Sequence, residues 1–272
     1  MSAITRFLPK NHLSFVVGKL VHLKLPSFLS RFIITRFAKA YKIDLTEAEF
    51  PVDQYESLGK FFIRKLKPGL RPIGTSWAVH PADSVITQAG IIVSGKLIQA
   101  KDKTYSVEQF TRDNQAMAKW DQGTFLTYYL CPTDYHRVHA PVDGQIVRMT
   151  HIPGALWPVN SWSTENVQEL FSINERVFVE IETDRGLVGV MFVAATNVGQ
   201  IILAFDAQVI GNQFQISESY KKSYQIPIKK GDELGAFRMG STVVMMYAPG
   251  VLPNSSVQKH AGQKVKVNGA LE

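Results

Sequence analysis

Eight short stretches of strand character, each bounded by turn residues, fill the chain from Val79 onward, and no other feature narrows the fold as much. They cover residues 85–93, 125–131, 145–150, 177–183, 187–194, 200–205, 243–247 and 264–267. One helix interrupts them near residues 107–120, opened by the capping-box pattern Ser106-x-x-Gln109. Many short strands and few helices imply an α+β fold, with N-terminal helices followed by a mostly antiparallel β-sandwich or barrel. No repeat, low-complexity tract or clear linker divides it. Residues 46–272 therefore read as one body behind a helical lead of residues 1–45.

That lead carries the charge. Residues 1–42 hold eight Lys/Arg and no Asp or Glu, while the other 22 basic and 23 acidic residues almost cancel. The formal net charge of +7 thus sits at one end of the chain. From Leu13, apolar residues fall at helical spacing (Leu13, Val16, Val17, Leu20, Leu23), with Asn11 as a cap, until Pro26 breaks the segment. A second helix is expected from Ser27, with Phe28, Leu29, Phe32, Ile33 and Phe37 on one side and Arg31, Thr35, Arg36 and Lys39 on the other. Basic amphipathic helices of this kind lie in a membrane interface, their cations facing anionic headgroups. The alternative is that the apolar faces pack on the protein body or on a second subunit.

No stretch of about 18 uncharged apolar residues exists, so no transmembrane helix is expected. Lys10, Lys19 and Lys24 interrupt any signal-peptide core. Further on, Thr46-Glu47-Ala48-Glu49 forms a capping-box pattern, and a helix is expected over residues 52–66. Basic residues follow it, but they are not interleaved with aromatics along the chain, so nucleic acid is not an expected partner. The single cysteine, Cys131, excludes an internal disulfide and a cysteine-based zinc site, and fits a reducing compartment.

Chemistry concentrates in three places. Near the C-terminus, Lys229 to Val244 reads as a glycine-punctuated turn, a short strand, a Gly240-Ser241-Thr242 corner and a buried strand. With a base nearby, the Ser241 hydroxyl could attack the carbonyl of Gly240, which carries no Cβ to obstruct it. The plain alternative is a turn with a solvated serine. The second place is His80-Pro81-Ala82-Asp83, and the third is Asp134-Tyr135-His136-Arg137-Val138-His139-Ala140-Pro141. An Asp, a His and a Ser far apart in sequence are the ingredients of an acid–base–nucleophile relay. His136 and His139, three apart, would face opposite sides of a regular strand, so either the backbone turns between them or they do different jobs. A metal site built on these two with Asp134 is the rival reading, as is ordinary packing of histidines near a strand end.

The run Gly231-x-Glu233-x-Gly235-x-Phe237-x-x-Gly240-Ser241-Thr242-Val243-Val244 resembles the C-terminal signature of the phosphatidylserine decarboxylases, with Met239 where leucine is usual. The D-Y-H-R-x-H-x-P run matches a second family motif. His80-Pro81-Ala82-Asp83 resembles a third, except that Ser84 replaces its glycine. Phe61-Phe62-Ile63-Arg64-Lys65-Leu66-Lys67, Arg71-Pro72-Ile73, Gln99-Ala100-Lys101 (followed by Asp102 where a glycine is common), Leu156-Trp157-Pro158-Val159-Asn160 and Asn174-Glu175-Arg176-Val177 are further family phrases. The Trp157 segment reads equally as a lipid-facing loop or as core packing.

The resemblance implies a proenzyme that cuts itself between Gly240 and Ser241, using Asp83, His139 and Ser241 as the self-cleavage triad. Ser241 then becomes a covalent pyruvoyl group, the cofactor, which forms a Schiff base with the substrate amine and draws off the electrons left by carbon dioxide. His136 is assigned to the decarboxylation step. No metal is implied. The products would be a β chain of residues 1–240 and an α chain of residues 241–272, paired and assembling further as a homo-oligomer. The substrate implied is phosphatidylserine in an anionic membrane, at the cytoplasmic face of the cell membrane. Two readings from other classes share these residues: a non-catalytic lipid-binding or carrier barrel, and a serine hydrolase acting on an external substrate.

Overall fold

The computed structural model describes residues 17–100, 103–196, 200–208, 218–238 and 241–271, with only the backbone at Ser241. In chain order its strands are β1 (Ser84–Ile91), β2 (Lys96–Ala100), β3 (Lys103–Ser106), β4 (Thr124–Leu130), β5 (Arg137–His139), β6 (Gly144–Ile152), β7 (Arg176–Thr183), β8 (Gly186–Ala194), β9 (Ile201–Leu203), β10 (Tyr220–Ile228), β11 (Glu233–Phe237), β12 (Ser241–Tyr247) and β13 (Lys264–Val265). Eight of them form one sheet in the order β10-β6-β7-β8-β12-β4-β1-β13. Every ladder between these strands is antiparallel. A three-stranded sheet, β5-β11-β9, and the β2-β3 hairpin complete the strands. The architecture is α+β and mostly antiparallel, as the strand spacing implies. The large sheet ends at β10 and β13 and does not close, so it is no barrel.

β12 is central to the large sheet. It pairs with β8 on one side and β4 on the other, from Ser241 opposite Ala194 and Leu130 through Tyr247 opposite Val188 and Thr124. Val243 to Tyr247 are fully buried, as are Phe125, Leu126, Val190, Met191 and Phe192 on the flanking strands. Such near-continuous apolar runs mark strands covered on both faces. Gly235 on β11 serves close approach: a Cβ there would stand 2.5 Å from the Ile202 carbonyl oxygen on β9.

Several local expectations are overturned by tertiary bonds. The helix expected over 107–120 is two short ones, Val107–Thr111 and Ala116–Trp120, broken where Arg112 turns left-handed (φ 52°). Asp113 then accepts from the Gln115 amide at 3.1 Å. Ser106 makes no side-chain cap, because it ends β3 and the next amide goes to the Gly95 carbonyl instead. The helix expected over 52–66 shrinks to a 3-10 turn, Val52–Gln54, and the helix Leu58–Phe62, capped by Ser57. At 45–47 the cap is Asp44, which takes the Thr46 amide, rather than Thr46 itself.

The helix expected from Ser27 runs from Ser27 to Tyr41 and buries Ser30, Ile34 and Ala38. Ile34 and Ala38 pack with Ile43, Tyr55 and Phe61 in a small second core. Phe28 and Phe32 face outward, 75% and 57% exposed. Ahead of this helix residues 17–21 are helical. The Asn11 cap, Leu13 and Val16 lie outside the described residues. No described helix is long and apolar enough to cross a membrane.

Candidate active site

Site construction starts at the turn after β4. Leu130, the last residue of β4, sits opposite Ser241. Cys131 follows, and its carbonyl takes a hydrogen bond from His136 Nε2 at 2.9 Å. The His136 carbonyl in turn accepts from the Phe237 amide at 3.0 Å, at the end of β11. His136 is therefore bonded to the segment before Arg238 and to the turn that follows Leu130, the partner of Ser241. Its ring is fully buried and stacks on Phe62, with centroids 4.0 Å apart. A carbonyl can only accept, so Nε2 carries the proton and Nδ1 is a bare lone pair with no hydrogen-bond partner among the described residues. Burial, with the charge of Arg64 adding to it, pushes His136 down to about 3, against the pull of the Cys131 carbonyl. It is neutral at pH 7.

His139, half-buried on β5, stands opposite Glu233 of β11, four residues before Phe237. No turn separates the two histidines: the turn lies at 132–133, β5 runs extended over Arg137–His139, and the two rings meet different environments. Nδ1 of His139 donates to the Gly231 carbonyl at 2.7 Å, and Nε2 accepts from the Tyr135 hydroxyl at 3.0 Å. Gly231 has φ +90°, a conformation glycine adopts without strain, and this turn delivers its carbonyl to the ring. Burial lowers the His139 pKa, while the Gly231 bond and the charge of Glu233 oppose that. The result is a neutral imidazole with its basic lone pair on Nε2.

Asp83 is almost fully buried beside this site. A backbone bond of 2.8 Å, from the His139 amide to the Pro81 carbonyl, sets the two segments side by side. Its carboxylate accepts from Arg71 Nη2 at 2.7 Å, Lys266 Nζ at 3.0 Å and the Val267 amide at 2.8 Å. Burial pushes the Asp83 carboxyl up, but these bonds outweigh it and hold the group below the usual carboxylate range. Asp83 reaches His139 only as a nearby negative charge. Arg71 is itself clamped on its other side by Glu47 at 2.9 Å. Lys65, Arg71, Tyr135, His139 and Glu233 line one cleft of about 290 Å³.

Gly240, Met239 and the Ser241 side chain lie outside the described residues, as does Asp102. What is described is the Ser241 backbone, held from both sides by β4 and β8. Replacing a glycine by Ser84 distorts nothing: it begins β1 opposite Val265, and its φ is not positive. Asp134, the third candidate metal ligand, accepts from the Cys131 amide at 2.8 Å, and burial raises its pKa. Leu156 is buried and Trp157 packs against the core, so that segment is held inside, with Asn174 bonding both the amide and the carbonyl of Trp157. Sequence reasoning missed Arg71, Tyr135 and Gly231 as partners of the site. Each lies in a quoted motif, but nothing in a motif says which side chain a carboxylate or ring will meet.

The model of the phosphatidylserine decarboxylase family matches residues 58–271. A phosphatidylserine decarboxylase proenzyme of Myxococcus xanthus is 40% identical over 248 residues, covering 90% of this chain and 88% of the relative. Proenzymes of the same description from an Anaeromyxobacter species and from Francisella philomiragia are each 39% identical, over 249 and 256 residues. They cover 90% and 92% of this chain and 88% of each relative.

Proposed function

This chain belongs to the phosphatidylserine decarboxylase family, and from that membership we propose that it is a self-processing lyase converting phosphatidylserine to phosphatidylethanolamine in phospholipid synthesis. The observation that carries the reading is the family match over residues 58–271, which contains Asp83, His136, His139 and Ser241 together.

Self-processing needs a nucleophile, a base and a trap. His139 is the base: its Nδ1–H is fixed by Gly231, and its Nε2 lone pair, which accepts from the Tyr135 hydroxyl in this structure, takes the Ser241 proton once that hydroxyl turns aside. His136, held near 3 by burial, is too weak a base for that task. Asp83 contributes by its charge, which favours the imidazolium that forms. The Ser241 oxygen attacks the Gly240 carbonyl, and the amide becomes an ester. Elimination across Cα–Cβ of Ser241 expels the Gly240 carboxylate, leaving dehydroalanine, which water converts to a pyruvoyl group and ammonia.

The residues present fit that group. Residue 241 is paired by backbone on both sides, so the new chain end stays in the sheet after the cut. Among the described residues, the buried hydroxyl of Thr242, next in the chain, and Nδ1 of His136 have no hydrogen-bond partner. The pyruvoyl group supplies an electron sink for decarboxylation, which no ordinary side chain provides. His136, neutral with its proton on Nε2, is suited to steer the substrate in the decarboxylation step by accepting a hydrogen bond at Nδ1.

A bilayer substrate calls for a membrane-facing surface. The exposed Leu20, Leu23, Phe28 and Phe32, set among Arg31, Arg36 and Lys39, support an interfacial helical lead docking on anionic lipid at the cytoplasmic face of the cell membrane. The experiment that tests the function is intact-mass analysis joined to a decarboxylation assay. Two chains split at Gly240–Ser241 with release of carbon dioxide from phosphatidylserine are expected. Full activity in an uncut chain would overturn the reading.

A further inference from the structure

Two arginines of the described residues are almost completely buried, Arg64 and Arg176. Arg176 is satisfied: Nε, Nη1 and Nη2 donate to the carbonyls of Phe110, Asn174 and Gln109, each at 2.7 Å. Arg64 is not. It is 4% exposed, forms no ion pair among the described residues, and makes one long bond, Nη2 to the Thr133 carbonyl at 3.4 Å. Its Nε and Nη1 are buried with no hydrogen-bond partner among the described residues, and its guanidinium lies over the Phe61 ring, 4.9 Å from the centroid. A buried cation with two unmet donors is costly, and a site that keeps one holds it ready for an anion.

Arg64 lines a cleft of about 500 Å³ together with Phe50, Tyr55, Lys60, Lys65 and Arg137. Of the acids there, Glu56 is taken by Lys24 at 3.0 Å, and Arg137 is already paired to Glu233. That leaves a cationic excess of Lys60, Arg64 and Lys65 facing Glu49. The segment is also fastened to the reacting end of the site. Phe62 stacks on His136, the Ile63 carbonyl accepts from Arg137 at 2.9 Å, and Arg64 reaches Thr133 in the turn that carries His136. At the rim, Lys24 lies between the exposed Leu23 and Phe28.

We propose that Arg64 is the anion-binding residue of this site, receiving the phosphodiester of the lipid headgroup in the cleft it lines. The proposal rests on the decarboxylase reading. An arginine fork presents paired N–H donors that match two phosphate oxygens. The substrate carboxylate is the poorer occupant, because a guanidinium on it stabilises the ground state and opposes loss of carbon dioxide. A phosphodiester keeps its charge throughout the reaction, so clamping it holds the substrate without raising the barrier.

The test compares Arg64→Gln and Arg64→Lys with the wild-type enzyme, each first checked for cleavage into two chains. Kinetics use soluble dihexanoyl phosphatidylserine, with glycerophosphoserine and inorganic phosphate as competitors. In Arg64→Gln, KM should rise about ten- to hundredfold with kcat nearly unchanged, the effect of losing hydrogen bonds to a charged group. Arg64→Lys, which keeps the charge and loses the fork, should show a smaller rise. Glycerophosphoserine should inhibit the wild type and lose potency in parallel in the variants. Should Arg64→Gln fail to fold or cleave, Arg64→Lys decides alone. A cleaved variant with wild-type KM, or one that loses only kcat, overturns the proposal. Inorganic phosphate competing as well as glycerophosphoserine would make this a free-phosphate site and overturn the headgroup assignment. A wild-type protein that neither cleaves nor decarboxylates would instead overturn the decarboxylase reading.

Discussion

Asp83 and His139 lie on neighbouring backbone, joined through the His139 amide and the Pro81 carbonyl, yet the carboxylate bonds Arg71, Lys266 and Val267 while the ring bonds Gly231 and Tyr135. The carboxylate therefore acts on the imidazole through its charge and holds the surrounding loops through its hydrogen bonds. Asp83→Asn should slow self-cleavage without abolishing it, and should lower stability by about 3 kcal/mol by taking the buried counter-charge from the largely buried Arg71. For a domain of this size that is a fall in Tm of roughly 6–12 °C. Wild-type cleavage in a time course on denaturing gels would remove Asp83 from the chemistry.

The two histidines separate on one gel and one assay. His139→Ala should accumulate as uncut precursor, since no other group is suited to take the Ser241 proton. His136→Ala should cut normally yet lose most decarboxylation. The Phe237 amide bonds the His136 carbonyl, which the substitution leaves in place, so the corner keeps its anchor. An uncut but folded His136→Ala would reverse this division of labour.

Ser241→Ala should leave one full-length, inactive chain. In the wild type, the new chain should begin at residue 241, resist Edman sequencing, and remain bound to its partner through the buried run Val243 to Tyr247. Separation of the two chains under native conditions would contradict the role given to β12.

Acid should destabilise the fold well before carboxylates titrate. Burial lowers both His80 and His136 from 6.5 to about 3, so below pH 6.5 the unfolded chain binds protons that the folded chain refuses. Stability is thus full above pH 6.5 and is lost as pH falls toward 3. By pH 5 each ring should cost roughly 2 kcal/mol. On the uncut Ser241→Ala protein, Tm should drop by on the order of 10 °C between pH 7 and pH 5. A flat profile would mean that the rings are protonated inside the fold.

Reversing Arg31, Arg36 and Lys39 to Glu should abolish co-sedimentation with anionic vesicles, each cation near the surface contributing about 1 kcal/mol. All three are exposed, so the fold should survive, as circular dichroism can verify. Sedimentation unchanged by the triple reversal would remove the helical lead from membrane binding.

By itself the sequence determined whatever depends on near neighbours. The apolar runs at 125–131, 177–183, 187–194 and 243–247 became β4, β7, β8 and β12 within a few residues, because strands buried on both faces announce themselves by composition. The motifs around Asp83, His136, His139 and Ser241 are equally local, and so was the family. Only the tertiary structure decided the rest. β10 reads poorly as a strand, with Pro227 near its end, and it exists because β6 offers it an edge. The stretch 107–120 broke at Arg112 despite its helical pattern. The inward face of the Ser27–Tyr41 helix was set by Tyr55 and Phe61, which wait further along the chain. The partners of Asp83 come from residues 71, 266 and 267, and that of His139 Nδ1 from residue 231. Whether a buried arginine is satisfied, like Arg176, or left open, like Arg64, is fixed by carbonyls up to 69 residues away. Periodicity reports which face of an element is apolar; burial and hydrogen bonding depend on what the folded chain brings against that face.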